Sequence, residues 1–182
     1  TDHGVMYGLY EFWNECKANG IKPIIGCEVY VAARTRFDKD PKLDKRRYHL
    51  TLLAKNLEGY HNLMKICSVG QLEGMYYKPR VDKEVLAKYS KGIIVTTGCL
   101  SSPMNKNLLH GDREAAEDWV KFFIDNFEHV FVELQRNGVE ESEKLIPIQI
   151  EIAKKYNLDM VATCDSHYIN KADSDLQEIN WC

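Results

Sequence analysis

No CxxC pair and no dense cysteine framework occur in this chain; its six cysteines stand apart at positions 16, 27, 67, 99, 164 and 182. That spacing excludes a disulfide-stapled secreted scaffold. It points to reduced thiols in a cytoplasmic protein, some buried and some serving as ligands. No apolar run approaches the ~20 residues of a membrane span. Nor is there an excess of basic charge: Lys and Arg number 24 against 27 Asp and Glu, a net charge of −3. No global positive field announces nucleic acid, although an enzyme that touches only a few phosphates needs none. Internal repeats and low-complexity tracts are absent. A starting methionine is absent as well. "TDHGVMYG" reads like the turn that follows a strand, and "LQEINWC" stops inside a helical pattern, so a piece of a longer protein, cut at both ends, is expected. What remains is an ordinary globular balance, 45% apolar and 28% charged over 182 residues, enough for one sizeable core.

Hydrophobic spacing divides the chain into alternating elements. Leu9, Phe12, Trp13 and Cys16 recur at helical intervals before Gly20 ends the run. "KPIIGCEVYVAA" reads as a strand interrupted at Gly26, and "RTRFDKDPKLDKRR" as a solvated, charge-dense loop. "YHLTLLAK" is a second strand. Asn56 then caps a helix whose apolar face is Leu57, Tyr60, Leu63, Met64 and Cys67. "GMYYKPRVD" is a loop leading to a short helix, and "GIIVTTGC" a buried strand ending in a turn. Asp112 caps the helix "REAAEDWVKFFIDNF". The strand "HVFVELQ", a helix over 140–156, the strand "LDMVATCD" and a final helix complete the series. Such alternation predicts parallel strands with helices outside, in a doubly wound sheet or a barrel.

Ligand-type residues fall where these strands end. His3 lies in the opening turn, His49 at the start of "HLTLLAK", Cys99 after "GIIVTT", and Asp165 with His167 after "LDMVAT". In parallel α/β folds the loops after strand C-termini share one face, where active sites gather. His3, Cys99, Asp165 and His167 are therefore expected on one rim; Glu28 and His49 join them if their strands are offset or bulged near Gly26. Imidazole, carboxylate and thiolate together suit zinc, manganese or iron rather than calcium or magnesium. The alternation in Asp-x-His sets both side chains on one side of an extended segment.

Each residue alone has an ordinary explanation. A single His is more often a surface or hydrogen-bonded residue than a ligand, and a Cys after an apolar strand is most often a small buried hydrophobe. Glu28, inside "IIGCEVYV", is the sharpest single sign, because a carboxylate buried without a partner or a cation is costly. Cys27 alternates with it and should face the other way; Cys16 and Cys67 read as core. Arg34, Arg36, Lys78 and Arg80 are candidates to hold phosphates beside the cluster, with Lys78 and Arg80 the better pair.

Together, "TDHG", "GIKPIIGCEVYVA", "YHLTLLAKNLEGYHNLMKI", "YYKPRVDKEVLAKYSKGIIVTTGCL" and "ATCDSHY" resemble the PHP (polymerase and histidinol phosphatase) domain. The branch they resemble is the one that opens the alpha subunits of bacterial replicative DNA polymerases. The resemblance covers nearly all of residues 1–182, read as a partial PHP domain whose C-terminal end runs toward a polymerase core. It implies a distorted (βα)7 TIM-like barrel, incomplete because the first strand and most of the second are missing, with a His-x-His pair lying before Thr1. It implies a cluster of up to three zinc, manganese or iron ions held by His3, Glu28, His49, Cys99, Asp165 and His167. His3, Glu28, Asp165 and His167 would be the catalytic members. Cys164 stands where relatives commonly carry Asn and is not counted. The chemistry implied is 3′–5′ exonuclease hydrolysis of phosphodiesters by a metal-activated hydroxide. The implied partners are the 3′ end of single-stranded DNA, the other domains of the alpha subunit, and replisome subunits such as the sliding clamp and the proofreading subunit, with no membrane. An inactive module that organises the polymerase, or a free-standing phosphatase such as a histidinol phosphatase, are the alternatives.

Overall fold

In a computed structural model, which describes residues 1–181, eight strands and seven helices alternate along most of the chain. The strands are β1 (Asp2–His3), β2 (Gly26–Ala32), β3 (Arg47–Ala54), β4 (Met75–Tyr76), β5 (Lys78–Val81), β6 (Ile93–Thr96), β7 (His129–Gln135) and β8 (Asp159–Thr163). The helices are α1 (Leu9–Ala18), α2 (Leu57–Leu72), α3 (Lys83–Lys88), α4 (Pro103–Leu109), α5 (Arg113–Asn126), α6 (Glu140–Tyr156) and α7 (Ser174–Trp181). Side-chain caps fix several helix starts. Asn56 accepts from the Gly59 N–H at 2.9 Å and Asp112 from the Ala115 N–H at 2.9 Å, each satisfying an orphan donor of the first turn.

The sheet runs β4-β5-β2-β3-β6-β7-β8, with β1 also paired to β2. β1 lies along the first half of β2 and β5 along the second, so the two share one edge of it in succession. The expectation of wholly parallel strands is corrected here. β3 runs antiparallel to both β2 and β6, while β1–β2, β2–β5, β6–β7 and β7–β8 are parallel. No helix separates β2 from β3; the chain returns through the loop 33–46 and pairs directly, as antiparallel strands do. His167, just past β8, stacks on His3 of β1 with ring centroids 6.3 Å apart. The sheet is thus curled enough for its last strand to approach its first.

Strand alternation sorts the side chains. Cys27, Val29 and Val31 of β2, Leu50 and Leu52 of β3, and Ile93 and Val95 of β6 face the helices, where they meet Leu63 and Ile66 of α2, Val85 and Leu86 of α3, and Phe123 of α5. Each fully buried aliphatic side chain here is worth roughly 1.5–3 kcal/mol. A second cluster joins Met104 and Leu108 of α4 to Val120 of α5 and to Leu145 and Ile152 of α6. The opposite, concave face of the sheet carries Glu28, Tyr30, His49, Thr96, Glu133, Gln135 and Thr163, a polar set inside the curl. Cys27 does face away from Glu28, as alternation requires.

The loop 33–46 is not left to solvent. Arg34 pairs with Asp44, its Nη2 lying 2.5 Å from Oδ2. Arg36 reaches Asp82 at 3.0 Å and Glu73 at 2.7 Å. Arg80 is wholly buried, and its guanidinium donates to the carbonyls of Gly74, Asp44, Arg36 and Asp38 at 2.8–3.2 Å. Among the described residues no helix is long and apolar enough to cross a membrane.

Candidate metal centre

Glu28 is the middle of the site. It lies in β2, opposite His3 of β1 in the ladder, so both side chains leave the sheet on the same face. His49 of β3 sits opposite Tyr30, two residues along that face. The result is a shared acceptor: Glu28 Oε1 lies 3.1 Å from Nδ1 of His3 and 3.0 Å from Nδ1 of His49. Cys99 Sγ stands 3.9 Å from the same His49 nitrogen. Glu28, His49 and Cys99 each offer a ligand atom within 4.8 Å of the other two.

The reversal of β3 is what delivers His49. Because β3 is antiparallel to β6, its N-terminal end lies beside the turn that follows β6, and the His49 N–H donates to the Ser101 carbonyl at 3.0 Å. No bulge is involved. β2 and β3 pair without interruption from Gly26–Leu53 to Ala32–Arg47, and Gly26 begins the strand rather than breaking it. A Cβ at Gly26 would lie 2.5 Å from a Leu53 methyl and 2.7 Å from the Leu52 carbonyl, so the glycine serves close packing.

Cys99 is held by the start of α4, an element the sequence reading did not anticipate. Gly98 takes φ +72, Ser102 caps the helix by accepting from the Asn105 N–H at 3.2 Å, and Pro103 opens it. The Asn105 amide donates back to the carbonyls of Gly98 and Cys99 at 2.9 and 3.0 Å. "SSPMN" is therefore a cap-and-clamp for the cysteine turn, and Ser-Pro before a short apolar run was its signature.

Asp165 and His167 adjoin this group without belonging to the mutually close set of three. β8 ends at Thr163, and Asp165 takes a left-handed φ of +50, so the pair is presented by a turn and not by an extended segment. That corrects the alternation expected of Asp-x-His. Asp tolerates the left-handed region better than most residues. His167 Nδ1 lies 2.7 Å from the Asp165 carbonyl oxygen, and its ring covers that of His3.

Two cations on the concave face, Arg47 and Lys78, lie against the Tyr30 ring at 5.6 and 5.8 Å from its centre. Burial pushes the Cys99 thiol up to about 12; the Ser101 backbone opposes this, while the charges of Glu28, Asp165 and Glu133 add to it. Burial also raises Asp165, against the pull of His167 and with the push of Glu28 and Glu133. Burial acts on Glu28 in the same sense, yet the hydrogen bond and charge of His49, and then those of His3, bring it below the usual carboxylate range. The charges of Glu28 and Glu133 add to the burial that disfavours ionisation of Cys99 and Asp165, and a bound cation would relieve both. The donor set of oxygen, nitrogen and sulfur fits a zinc, manganese or iron ion.

Two expectations for phosphate binding fare differently. Lys78 is exposed at the lip, its Nζ 5.8 Å from the centre of the Tyr30 ring, which in turn meets His49 edge-on at 5.2 Å. Arg80 is corrected: its guanidinium is enclosed by backbone carbonyls and presents nothing to a phosphate. Arg34 and Arg36 are likewise occupied by carboxylates. Glu133, which lines the same concave face, was missed, although it is a carboxylate in the apolar strand "HVFVELQ", the very sign that exposed Glu28.

The sequence profile of the PHP domain family matches residues 1–137. The DNA polymerase III subunit alpha of Treponema pallidum is 44% identical, over 100% of this chain and 16% of its own. That of Thermus aquaticus is 42% identical over 98% of this chain and 15% of its own, and that of Aquifex aeolicus 43% over 95% and 16%. The chain spans about a sixth of the length of these curated relatives, at 15–16%.

Proposed function

The chain belongs to the PHP domain family, and from that premise we propose that it is the metal-dependent phosphoesterase module of a bacterial replicative DNA polymerase, acting as a 3′–5′ exonuclease on single-stranded ends. The observation that carries this reading is the sharing of Glu28 Oε1 by His3 and His49 beside the Cys99 sulfur. Nucleotide polymerisation would belong to the rest of such a protein, in line with its relatives' names. The curled sheet reads as most of a PHP-type (βα)7 barrel, since β1 and β8, each paired on one side only among the described residues, approach through His3 and His167. A further strand of the family barrel would fit that gap.

In this reading His3, Glu28, His49 and Cys99 hold metal from one side and Asp165 with His167 from the other, around one to three ions of zinc, manganese or iron. Bound divalent ions would supply Lewis acidity, lowering the pKa of water and neutralising charge on phosphoryl oxygens. The protein's own task is orientation. Nδ1 of His49 faces both Glu28 Oε1 and Cys99 Sγ, so it is the nitrogen that would join them on an ion. A bound cation would offset the burial and the neighbouring carboxylates that raise the Cys99 thiol, and so favour its thiolate. Lys78 stands where a phosphate of the entering strand would pass.

The reading is tested on the full-length polypeptide with a 3′-labelled single-stranded oligonucleotide. Stepwise shortening that stops with chelator and returns with manganese or zinc is expected. Metal bound tightly without any cleavage would instead make the domain a structural module. Cleavage of small phosphomonoesters alone would favour a phosphatase. Lys78→Ala should weaken cleavage and lower the slope of log activity against log salt by about one contact; an unchanged slope removes Lys78 from the DNA path.

A further inference from the structure

Glu133 sits on β7, flanked by β6 and the last strand β8, and is only 6% exposed. One carboxylate oxygen accepts from the Thr163 hydroxyl at 2.6 Å and from the Gln135 amide at 3.1 Å. The other accepts from the Thr96 hydroxyl. Its backbone N–H donates to Thr97 Oγ1 at 2.9 Å. All of these partners are neutral, and among the described residues no cationic side chain pairs with it.

The two threonines are the last residues of their strands. Thr96 ends β6, three positions before Cys99; Thr163 ends β8, two positions before Asp165 and four before His167. Glu133 therefore ties together the strand ends that carry the two halves of the candidate centre. We infer that Glu133 is a positioning residue of the metal centre: bridging Thr96 and Thr163, it sets the spacing between the Cys99 turn and the Asp165–His167 turn, and its uncompensated charge helps draw a cation onto the concave face.

The fold itself has no evident need of this bridge. Backbone ladders already join β6 to β7 and β7 to β8, over Ile94–Thr96 and Phe131–Gln135. A buried carboxylate facing only hydroxyls and an amide regains part of its lost hydration through those hydrogen bonds, but lacks a counter-charge. A cation held by Glu28, His49 and Cys99 would supply one. Groups that touch the ligand-bearing segments rather than the ion typically tune metal affinity by ~10–100-fold.

The inference rests on the metal-centre reading above but not on the nuclease. The test is competition for zinc between the full-length polypeptide and a chromophoric chelator, with thermal midpoints of the metal-free proteins measured alongside. Glu133→Gln keeps the shape and removes the charge; Thr163→Val breaks the bridge from the β8 side. Each is expected to lower zinc affinity by ~10–100-fold. The double variant should fall little below the weaker single, because both act through one bridge. Metal-free Glu133→Gln should melt at or above the wild-type temperature, which a purely structural carboxylate would not allow. Wild-type affinity in both variants overturns the inference, whatever happens to the melting temperature. A wild-type protein that binds no zinc, manganese or iron would instead remove the metal-centre reading itself.

Discussion

Glu28 was legible because a carboxylate in an otherwise apolar strand has few tolerable fates, and pairing with two histidines is one of them. The same logic pointed at Glu133, but no neighbouring ligand pattern drew the eye to it. Arg80 was misread for a physical reason. A basic residue among tyrosines in a loop-like stretch looks exposed, and nothing local shows that four carbonyls from the loop 33–46 and from Gly74 will close around it. Its role predicts a stability defect rather than a DNA-binding one. Arg80→Ala strands those carbonyls and leaves a cavity, for a cost of about 2–4 kcal/mol. Chemical denaturation should show the loss, and amide exchange should speed up across residues 34–46. A variant as stable as wild type with slower cleavage would restore Arg80 to the DNA path.

Elements with strong periodicity or a capping residue were readable, down to the bounds of α6 and β7 and the caps Asn56 and Asp112. Elements defined by long-range pairing were not. β5 gains its strand character by pairing with β4 and docking on β2, and β3's direction depends on where the loop 33–46 lands. Between helices, the tie most open to test is Glu117 of α5, which accepts from Lys155 Nζ at 2.5 Å and the Tyr156 hydroxyl at 2.8 Å on α6, and from Arg113 Nε at 3.1 Å. The Lys155 bond first, opposed by burial and reinforced by Arg113 and Tyr156, holds its carboxyl down at about 2 against an ordinary 4.5. A depressed carboxylate contributes its stability above pH 4.5 and loses it as pH falls toward 2. Its cationic partners are half in water, so the contribution is about 1 kcal/mol, or ~2–4 °C in Tm for a chain of this size. Glu117→Gln should therefore melt below wild type at pH 7, with the gap closing as the pH approaches 2. A gap that stays constant over that range would mean the tie is not electrostatic.

For the whole molecule, the alternation of strands and helices foretold an α/β sheet with its polar residues gathered at one end. It did not foretell that one reversed strand would complete the site. The six ligand-type residues come from five separate stretches of chain; the pairing of β3 between β2 and β6 brings Glu28, His49 and Cys99 within 4.8 Å, and the curl of the sheet lays His167 over His3. The central claim is that this convergence is a metal centre. Zinc-edge X-ray absorption on the full-length polypeptide tests it most directly. The account predicts bound metal with nitrogen and oxygen neighbours plus one sulfur at about 2.3 Å, the sulfur vanishing in Cys99→Ser. A first shell of oxygen alone, or a sulfur signal that survives Cys99→Ser, would contradict it.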